Sequence, residues 1–328
     1  MYILSLAHFF VDAVCASALY SMSHDSIAMF ILLYNTLAFT GQAVWGLVAD
    51  RFPKQKYGTA VSCLLVCAGA LLPLPVAVRT VLLGVGNCGF HVGGGTTVLR
   101  EHGKKAAPLG FFVAPGSVGL VLGTLWPSLR GWMSAGLLLC GAAVLLQKER
   151  AAEHASNLRK IPFWVPLVLL LAVAVRSFGG FAVAAPWKIS TFHSLMAAAT
   201  VFLGKTAGGF LADRFGIRKA ALISLPVAAV LLSFFSGYMV PSLLGQFLLN
   251  LTMPVTLWLI YRGMPDAPGL SFGLAAASLW PGALAAKALP MEGTLGNAII
   301  FGTFAAGTAA ILAANRTLSK ETAAERQS

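Results

Sequence analysis

Charge is the scarcest property of this sequence. Of its 328 residues, 58% are hydrophobic and only 10% are Asp, Glu, Lys or Arg, whereas an ordinary soluble domain carries about 25% charged residues. A soluble fold of this size could not cover its surface with so few charges, because that surface would become one apolar patch. The mean hydropathy of +0.80 agrees. The composition therefore predicts a helical protein that crosses a membrane several times.

Patterns typical of enzymes and of metal or nucleotide sites are also missing. The five cysteines match no zinc or disulfide spacing, and no Lys-Ser/Thr phosphate loop indicates an ATP-driven engine. The triple glycine at 93–95 lies inside an apolar run with no strand before it, so it is no nucleotide fingerprint. No nucleophile triad can be identified. We therefore expect no enzyme activity, no cofactor and no metal site.

Twelve apolar runs approach the length of about 20 residues that a transmembrane helix needs. They lie near 2–22, 28–49, 58–76, 79–99, 108–127, 131–147, 162–183, 190–212, 220–239, 243–262, 270–288 and 295–315. The first run contains His8 and Asp12 and has no basic segment before it, so we expect a membrane span and not a signal peptide. The sequence thus predicts an all-α membrane protein with twelve transmembrane helices.

The basic residues predict how these helices are oriented. With the amino terminus inside, the inside segments carry 17 of the 23 Lys and Arg residues and the outside loops carry four. Because short cytoplasmic loops are enriched in Lys and Arg, we expect both termini to be cytoplasmic in a plasma (inner) membrane. The net charge of +12 is then a topology signal, and we expect no nucleic-acid partner.

An internal repeat relates the two halves of the chain. A shift of 163 residues lays FTGQAVWGLVADRF (39–52) over FLGKTAGGFLADRF (202–215), and it also carries Asn87 onto Asn250. Parallel repeats of this kind are known in transporters. The sequence therefore predicts four parts: an amino-terminal six-helix bundle (1–147), a cytoplasmic linker (148–161), a carboxyl-terminal six-helix bundle (162–316) and a cytoplasmic tail (317–328).

The repeated loops carry a family resemblance. GLVADRFPKQK (46–56) and GGFLADRFGIRK (208–219) resemble the loop motif after the second and eighth spans of the major facilitator superfamily, although Pro53 stands where glycine is usual. A finer likeness is to the fosmidomycin-resistance-type efflux proteins. It rests on LAHFFVDA (6–13), GVGNCGFHVGGG (84–95) and FFVAPGSVGLVLG (111–123). The resemblance implies a secondary active transporter whose spans 1, 4, 7 and 10 line a central cavity.

The Asp-Arg loops have a role that the resemblance implies and that physics allows. A carboxylate at the end of a span can accept hydrogen bonds from a helix amino terminus or pair with an arginine. The resemblance implies a cytoplasmic gate made of Asp50, Arg51, Asp213 and Arg214, with Arg100 and Arg262 as candidate partners. The alternative is that these charges only set the topology.

Formal charges inside spans are costly, so they indicate function. Asp12, Arg176 and Lys205 fall well inside the predicted spans, whereas the other charges lie in loops or at span ends. Asp12 and Arg176 lie at similar depth in repeat-related spans, so they either pair with each other, as a static ion pair or across the cavity, or each hold part of a ligand. Lys205 is a ligand candidate or reaches the membrane surface with its flexible chain.

Several uncharged polar residues complete the predicted cavity. His8 precedes Asp12 by four residues and shares its helix face, and a carboxylate beside an imidazole favours protonation. This pair is a candidate proton-coupling element. His91, in the glycine-rich fourth predicted span, is a candidate cavity residue, and Asn87 and Asn250 either connect helices or bind substrate.

These observations predict proton-coupled efflux of a small organic compound by antiport, by a monomer embedded in the lipid bilayer. The alternative is uptake of an organic anion by proton symport, with Arg176 and Lys205 as the binding cations. A third hypothesis is a non-transporting receptor or scaffold built on a transporter fold. The short loops and the complete second Asp-Arg motif argue against that hypothesis.

Overall fold

The computed structural model describes residues 1–22, 27–148, 161–289 and 291–325. Helices and short turns account for these residues, and none of them belongs to a strand. The helices are α1 (Tyr2–Tyr20), α2 (Ile27–Asn35), α3 (Gly41–Arg51), α4 (Gln55–Leu71), α5 (Val76–His102), α6 (Ala107–Val113), α7 (Pro115–Leu125), α8 (Arg130–Leu146), α9 (Trp164–Ala182), α10 (Thr191–Phe215), α11 (Ile217–Phe234), α12 (Met239–Gly263), α13 (Pro268–Ala277), α14 (Leu279–Ala288) and α15 (Gly293–Glu325). A π-helical turn (Thr36–Thr40) joins α2 to α3, and a 3-10 turn (Pro127–Leu129) precedes α8.

Eleven helical segments in the described residues are long and apolar enough to cross a membrane. The predicted all-α membrane class is therefore confirmed, and the chain is an integral multi-pass membrane protein. The count of twelve stays a prediction, because α4 has 17 residues. A helix of that length is about 26 Å long, slightly less than a hydrocarbon core of about 30 Å.

Large apolar side chains cover the outer faces of several helices. Trp132, Leu146 and Phe163 are 80%, 85% and 80% exposed. Exposed apolar surface of this kind is unusual on a soluble protein but suits contact with lipid. The apolar residues therefore serve both the helix interfaces and the membrane-facing surface.

Contacts between residues divide the chain into two compact units. The first unit consists of Met1–Glu101, Phe112–Ala152 and Pro268–Ala277, and the second consists of His102–Phe111, Glu153–Ala267 and Ser278–Ser328. Each unit thus contains a short helical segment from the other half of the sequence. The predicted bundles 1–147 and 162–316 are continuous in sequence, and their boundaries stay a prediction. Most of the predicted linker and the end of the predicted tail lie outside the described residues.

Glycines bring helix backbones into contact in the first unit. A methyl group on Gly119 of α7 would meet the carbonyl oxygen of Phe9 in α1, and one on Gly123 would meet that of Ala13. The two glycines are four residues apart and therefore lie on one helix face. Small residues at this spacing let membrane helices approach closely. The glycines of the segment FFVAPGSVGLVLG (111–123) therefore position α7 against α1.

Two predicted spans are each divided into two consecutive shorter helices. Ala114 separates α6 from α7, and Ser278 separates α13 from α14. Pro115 follows Ala114 and has no backbone N–H, so it cannot continue the hydrogen-bond ladder of α6. The shift of 163 residues relates Pro115 to Ser278. The interruption therefore occurs at corresponding places in both halves of the sequence.

Candidate functional site

Four polar side chains from α1 and α5 meet in the first unit. His8 and Asp12 are one turn apart on α1, and Asn87 and His91 are one turn apart on α5. Nε2 of His8 lies 3.4 Å from Oδ2 of Asp12, and Nε2 of His91 lies 3.8 Å from Oδ1 of Asp12. Nδ2 of Asn87 donates a hydrogen bond to the same Oδ1 at 3.1 Å. We refer to His8, Asp12 and His91 as the His–Asp–His cluster.

Backbone carbonyls fix the hydrogen on both imidazole rings. Nδ1 of His8 lies 2.9 Å from the carbonyl oxygen of Phe112, and Nδ1 of His91 lies 2.9 Å from that of Asn87. A carbonyl oxygen can only accept, so each Nδ1 must carry a hydrogen and donate it. Nε2 is then the ring atom that each histidine directs at Asp12.

This geometry favours a positive charge within the His–Asp–His cluster. A neutral imidazole with its hydrogen on Nδ1 has a lone pair at Nε2. Both lone pairs would face the oxygens of an ionised carboxylate, which also carry lone pairs, and these atoms repel one another. A proton or another cation between Nε2 and the carboxylate replaces that repulsion by attraction. The cluster is therefore suited to binding a cation.

Aromatic side chains and a glycine enclose the cluster. The His8 and His91 rings lie 4.3 Å apart between centroids, and Phe112 lies 5.0 Å from His8. The His8 side chain is 5% exposed and that of Asp12 is 20% exposed. A methyl group on Gly116 of α7 would collide with Nε2 of His8 and with Asp12. In the sequence, Gly116 is only one residue of the segment FFVAPGSVGLVLG (111–123), and this contact was not predicted.

Arg176 is buried in the second unit without an acidic partner there. It lies on α9, and its Nη1 donates to the hydroxyl groups of Thr252 at 3.1 Å and Thr256 at 3.5 Å, both on α12. In the described part of this unit, no carboxylate lies within salt-bridge distance of the guanidinium. A buried charge with only neutral partners is costly, so the position is suited to an anion. The i, i+4 spacing of Thr252 and Thr256 indicates one helix face, but these threonines were not predicted as partners of Arg176.

Asn250 and Lys205 are the other two residues predicted for the cavity. Nδ2 of Asn250 donates to the carbonyl oxygen of Gln246 on its own helix at 2.8 Å. Lys205 lies half-buried on α10, and its carbonyl oxygen is where a methyl group on Gly110 would collide. Asn87 and Asn250 correspond in the repeat, yet only Asn87 contacts a charged residue in the described structure.

Asp50 binds the amino-terminal end of α13. Its Oδ1 accepts from the backbone N–H of Gly269 at 2.6 Å, and its Oδ2 accepts from that of Leu270 at 2.8 Å. The first N–H groups of a helix have no partners within the helix, and the helix dipole favours negative charge there. Of the two contacts considered for this aspartate from the sequence, the structure has the one to a helix amino terminus.

Asp213 makes the equivalent contact with α6. Its two carboxylate oxygens accept from the backbone N–H groups of Ala106 at 2.8 Å and Ala107 at 2.9 Å. The shift of 163 residues that relates Asp50 to Asp213 also relates Ala106 to Gly269 and Ala107 to Leu270. The repeat is therefore preserved in the hydrogen bonds and not only in the sequence.

The arginines of the predicted gate have surroundings of their own. Arg100 donates to carbonyl oxygens at the end of α3, those of Phe52 at 3.0 Å, Pro53 at 3.2 Å and Ala49 at 3.3 Å. Arg262 lies over the Trp258 ring at 5.1 Å, and Arg214 over the adjacent Phe215 ring at 5.4 Å. Arg51 is exposed at the end of α3.

Comparison with solved structures reveals the fold to which these sites belong. It is the fold of the major facilitator superfamily. The crystal structure of the superfamily transporter FucP in the outward conformation matches with a TM-score of 0.70 at 14% identity, covering 95% of this chain and 97% of that one. A second structure, of the E. coli fucose:proton symporter FucP, matches with a TM-score of 0.68 at 13% identity and the same coverage.

No protein-family model and no curated protein matches the chain. At 13 to 14% identity, the two structural matches establish the fold alone. The predicted fold is therefore confirmed at the level of the superfamily fold, while the finer likeness to fosmidomycin-resistance-type efflux proteins stays a prediction.

Proposed function

We propose that the protein is a secondary active transporter driven by a proton gradient, with the His–Asp–His cluster as its proton site. The observation that carries this proposal is the position of the cluster inside two apolar helices, α1 and α5, with both Nε2 atoms directed at Asp12. Ionisable groups within a bilayer are costly and are retained where they act. The FucP of the second match is a fucose:proton symporter, which supports proton coupling on the same fold.

The proton would act by changing the charge of the cluster. With Asp12 ionised and both imidazoles neutral, the cluster carries one negative charge. Adding one proton makes it neutral and places a hydrogen between Nε2 of a histidine and the carboxylate. In alternating access the site opens to each side of the membrane in turn. A protein that changes between these two states more readily when the cluster is neutral would couple the conformational change to the proton gradient.

The caps made by Asp50 and Asp213 are suited to act as a cytoplasmic gate. Each carboxylate accepts two backbone hydrogen bonds, and a hydrogen bond to a charged group contributes roughly 1.5 to 3 kcal/mol. We propose that these bonds form in one transport state and break in the other. Arg51 and Arg100 would stabilise the end of α3, and Arg214 and Arg262 would stabilise the ends of α10 and α12, because positive charge is favourable at a helix carboxyl terminus.

The substrate proposed first is a small organic compound that is exported in exchange for protons. The likeness of the α1, α5 and α7 segments to fosmidomycin-resistance-type proteins supports export. Uptake of an organic anion by proton symport is the second candidate, and a specific observation favours it. Arg176 is buried with two hydroxyl groups as partners, which suits a carboxylate or phosphonate as ligand, and Lys205 would assist as a second cation.

A ligand panel followed by a flux assay tests the proposed function. Purified protein is screened for thermal stabilisation by organic anions, cations and neutral drugs, because a ligand that binds the native state raises the unfolding temperature. Stabilising compounds are then tested in proteoliposomes loaded with a pH-sensitive dye. We expect the wild-type protein to move protons with the compound and the sign of the pH change to separate antiport from symport.

Asp12→Asn is the decisive variant in this assay, and Asp266→Asn is its matched control. Asp266 is exposed and lies in the loop before α13, so its loss should leave proton flux unchanged. We expect Asp12→Asn to abolish coupled proton flux. Equal proton flux in both variants would remove Asp12 from the mechanism. A panel without any stabilising compound would favour the non-transporting scaffold.

A further inference from the structure

We propose that the His–Asp–His cluster also binds a divalent transition-metal ion, for which Zn²⁺ is the simplest case. The ligands would be Nε2 of His8, Nε2 of His91 and a carboxylate oxygen of Asp12. This inference deepens the proposed function, on which it rests for the role of the site in transport. The binding itself requires only the cluster.

The three ligand atoms are close to the spacing that a metal ion needs. They all lie within 4.8 Å of one another, and the Nε2–Oδ2 distance from His8 to Asp12 is 3.4 Å. Zn²⁺ binds nitrogen and carboxylate oxygen at about 2.0 to 2.2 Å, so ligand atoms of a tetrahedral site lie about 3.4 Å apart. His91 lies 3.8 Å from the other carboxylate oxygen, Oδ1. Since the ligand atoms now lie within 4.8 Å of one another, side-chain shifts of about 1 Å would bring them to the tetrahedral spacing.

The chemistry of the ligand set is that of a transition-metal site. Two neutral imidazoles and one carboxylate bind Zn²⁺ and other late first-row metal ions well, and such three-residue sets leave a coordination position open. Mg²⁺ and Ca²⁺ prefer sites built from oxygen atoms. The open position would accept water or a donor atom of an anionic substrate. Transition-metal ions are thus favoured over the alkaline-earth ions.

The groups around the ligands are arranged as they are in known metal sites. A metal-binding histidine usually donates its other ring N–H to a carbonyl or carboxylate, which fixes the ring and directs the remaining nitrogen at the ion. Here both Nδ1 atoms lie 2.9 Å from backbone carbonyl oxygens. Asn87 also donates to the carboxylate of Asp12. All three ligands are therefore oriented before an ion arrives.

The charge of the cluster supports the same conclusion. Two neutral rings and one carboxylate carry a net charge of −1, and their lone pairs face one another in a partly buried place. A divalent ion would convert this repulsion into three coordinate bonds. It would also occupy the Nε2 atoms that the proposed proton mechanism uses. Metal binding should therefore inhibit proton-coupled transport.

Cobalt is a suitable probe, because Co²⁺ occupies zinc-type sites and its bound form absorbs visible light. The full chain is purified in detergent, treated with a chelator and titrated with CoCl₂, followed by competition with ZnCl₂. We expect one equivalent of Co²⁺ per chain, displaced by Zn²⁺. His8→Ala and His91→Ala should each weaken binding by more than about tenfold. His193→Ala, which removes a histidine outside the cluster, should bind as the wild type does.

Two outcomes would overturn the inference: no saturable Co²⁺ absorption in the wild type, or equal affinity in the cluster variants and in His193→Ala. His91→Gln serves if His91→Ala does not fold, because it keeps a polar side chain without the imidazole ligand. Proton flux measured with EDTA present separates the two proposals. Flux without cobalt binding would refute only the metal site, and cobalt binding without any flux would refute only the proposed transport.

Discussion

Asp50 and Asp213 make the same pair of hydrogen bonds, each with a helix from the opposite half of the sequence. Asp50 holds the start of α13, and Asp213 holds the start of α6. Glycines at repeat-related positions allow this approach, because a methyl group on Gly46 would collide with the backbone of α13 and one on Gly209 with the backbone before α6. Each unit therefore contains one short helix from the other half of the sequence, and an aspartate at a repeat-related position binds the start of that helix.

The two caps should contribute similarly to stability. Asp50→Asn and Asp213→Asn each remove the charge that faces a helix amino terminus and leave one of the two backbone N–H groups without an acceptor, so each should lower the free energy of unfolding by roughly 1.5 to 3 kcal/mol. Thermal unfolding in detergent measures this loss, with the exposed loop variant Asp266→Asn as the control. Unfolding temperatures that fall equally in all three variants would contradict a specific capping role.

A glycine at a backbone contact should be far less tolerant than one in open space. A methyl group on Gly119 would overlap the carbonyl oxygen of Phe9, whereas one on Gly302 would meet nothing within 4 Å. We expect Gly119→Ala to cost roughly 1 to 3 kcal/mol or to prevent folding. Gly302→Ala, within α15, should be neutral or stabilising by up to about 1 kcal/mol. Fluorescence size-exclusion chromatography after heating measures both, and equal behaviour would contradict the close packing of α7 on α1.

The repeat-related asparagines should differ in function. Asn87 orients the carboxylate of Asp12, while Asn250 donates to its own helix. Loss of a group that orients a functional ligand commonly costs about 10-fold to 100-fold in activity or affinity. We therefore expect Asn87→Ala to reduce coupled proton flux by about tenfold or more and Asn250→Ala to have little effect on it. A larger effect from Asn250→Ala would place the coupling site in the second unit.

Arg176 should determine whether an organic anion binds. Arg176→Met removes the buried charge, so stabilisation by organic anions in the thermal-shift panel should be lost. Arg176→Lys keeps the charge but lacks the planar set of donors, and it should retain only weak stabilisation. Co²⁺ binding at His8 and His91 provides the folding control, because those residues belong to the other unit. Anion stabilisation that persists in Arg176→Met would show that organic anions bind without Arg176 and would remove this residue from the proposed anion site.

Helix faces could be predicted from the sequence, but contacts between helices could not. The i, i+4 spacing of His8 and Asp12 placed them on one face, and the same spacing applies to Asn87 and His91. That these two faces meet depends on the rotation and packing of α1 and α5, which hydropathy does not specify. The same applies to the threonines beside Arg176, since Thr252 lies 76 residues from it in the chain.

Composition, run length and self-similarity are sufficient to predict the membrane class, the approximate positions of the spans and the repeat. The sequence also places only three formal charges well inside spans, those of Asp12, Arg176 and Lys205. Three-dimensional packing shows that α6 lies in the unit of Asp213 and α13 in the unit of Asp50. It also shows that His8 and His91 both direct Nε2 at the carboxylate of Asp12. The thickness of the hydrocarbon core determines how long an apolar helix must be. Close backbone approach and hydrogen-bond geometry determine which helix lies beside it.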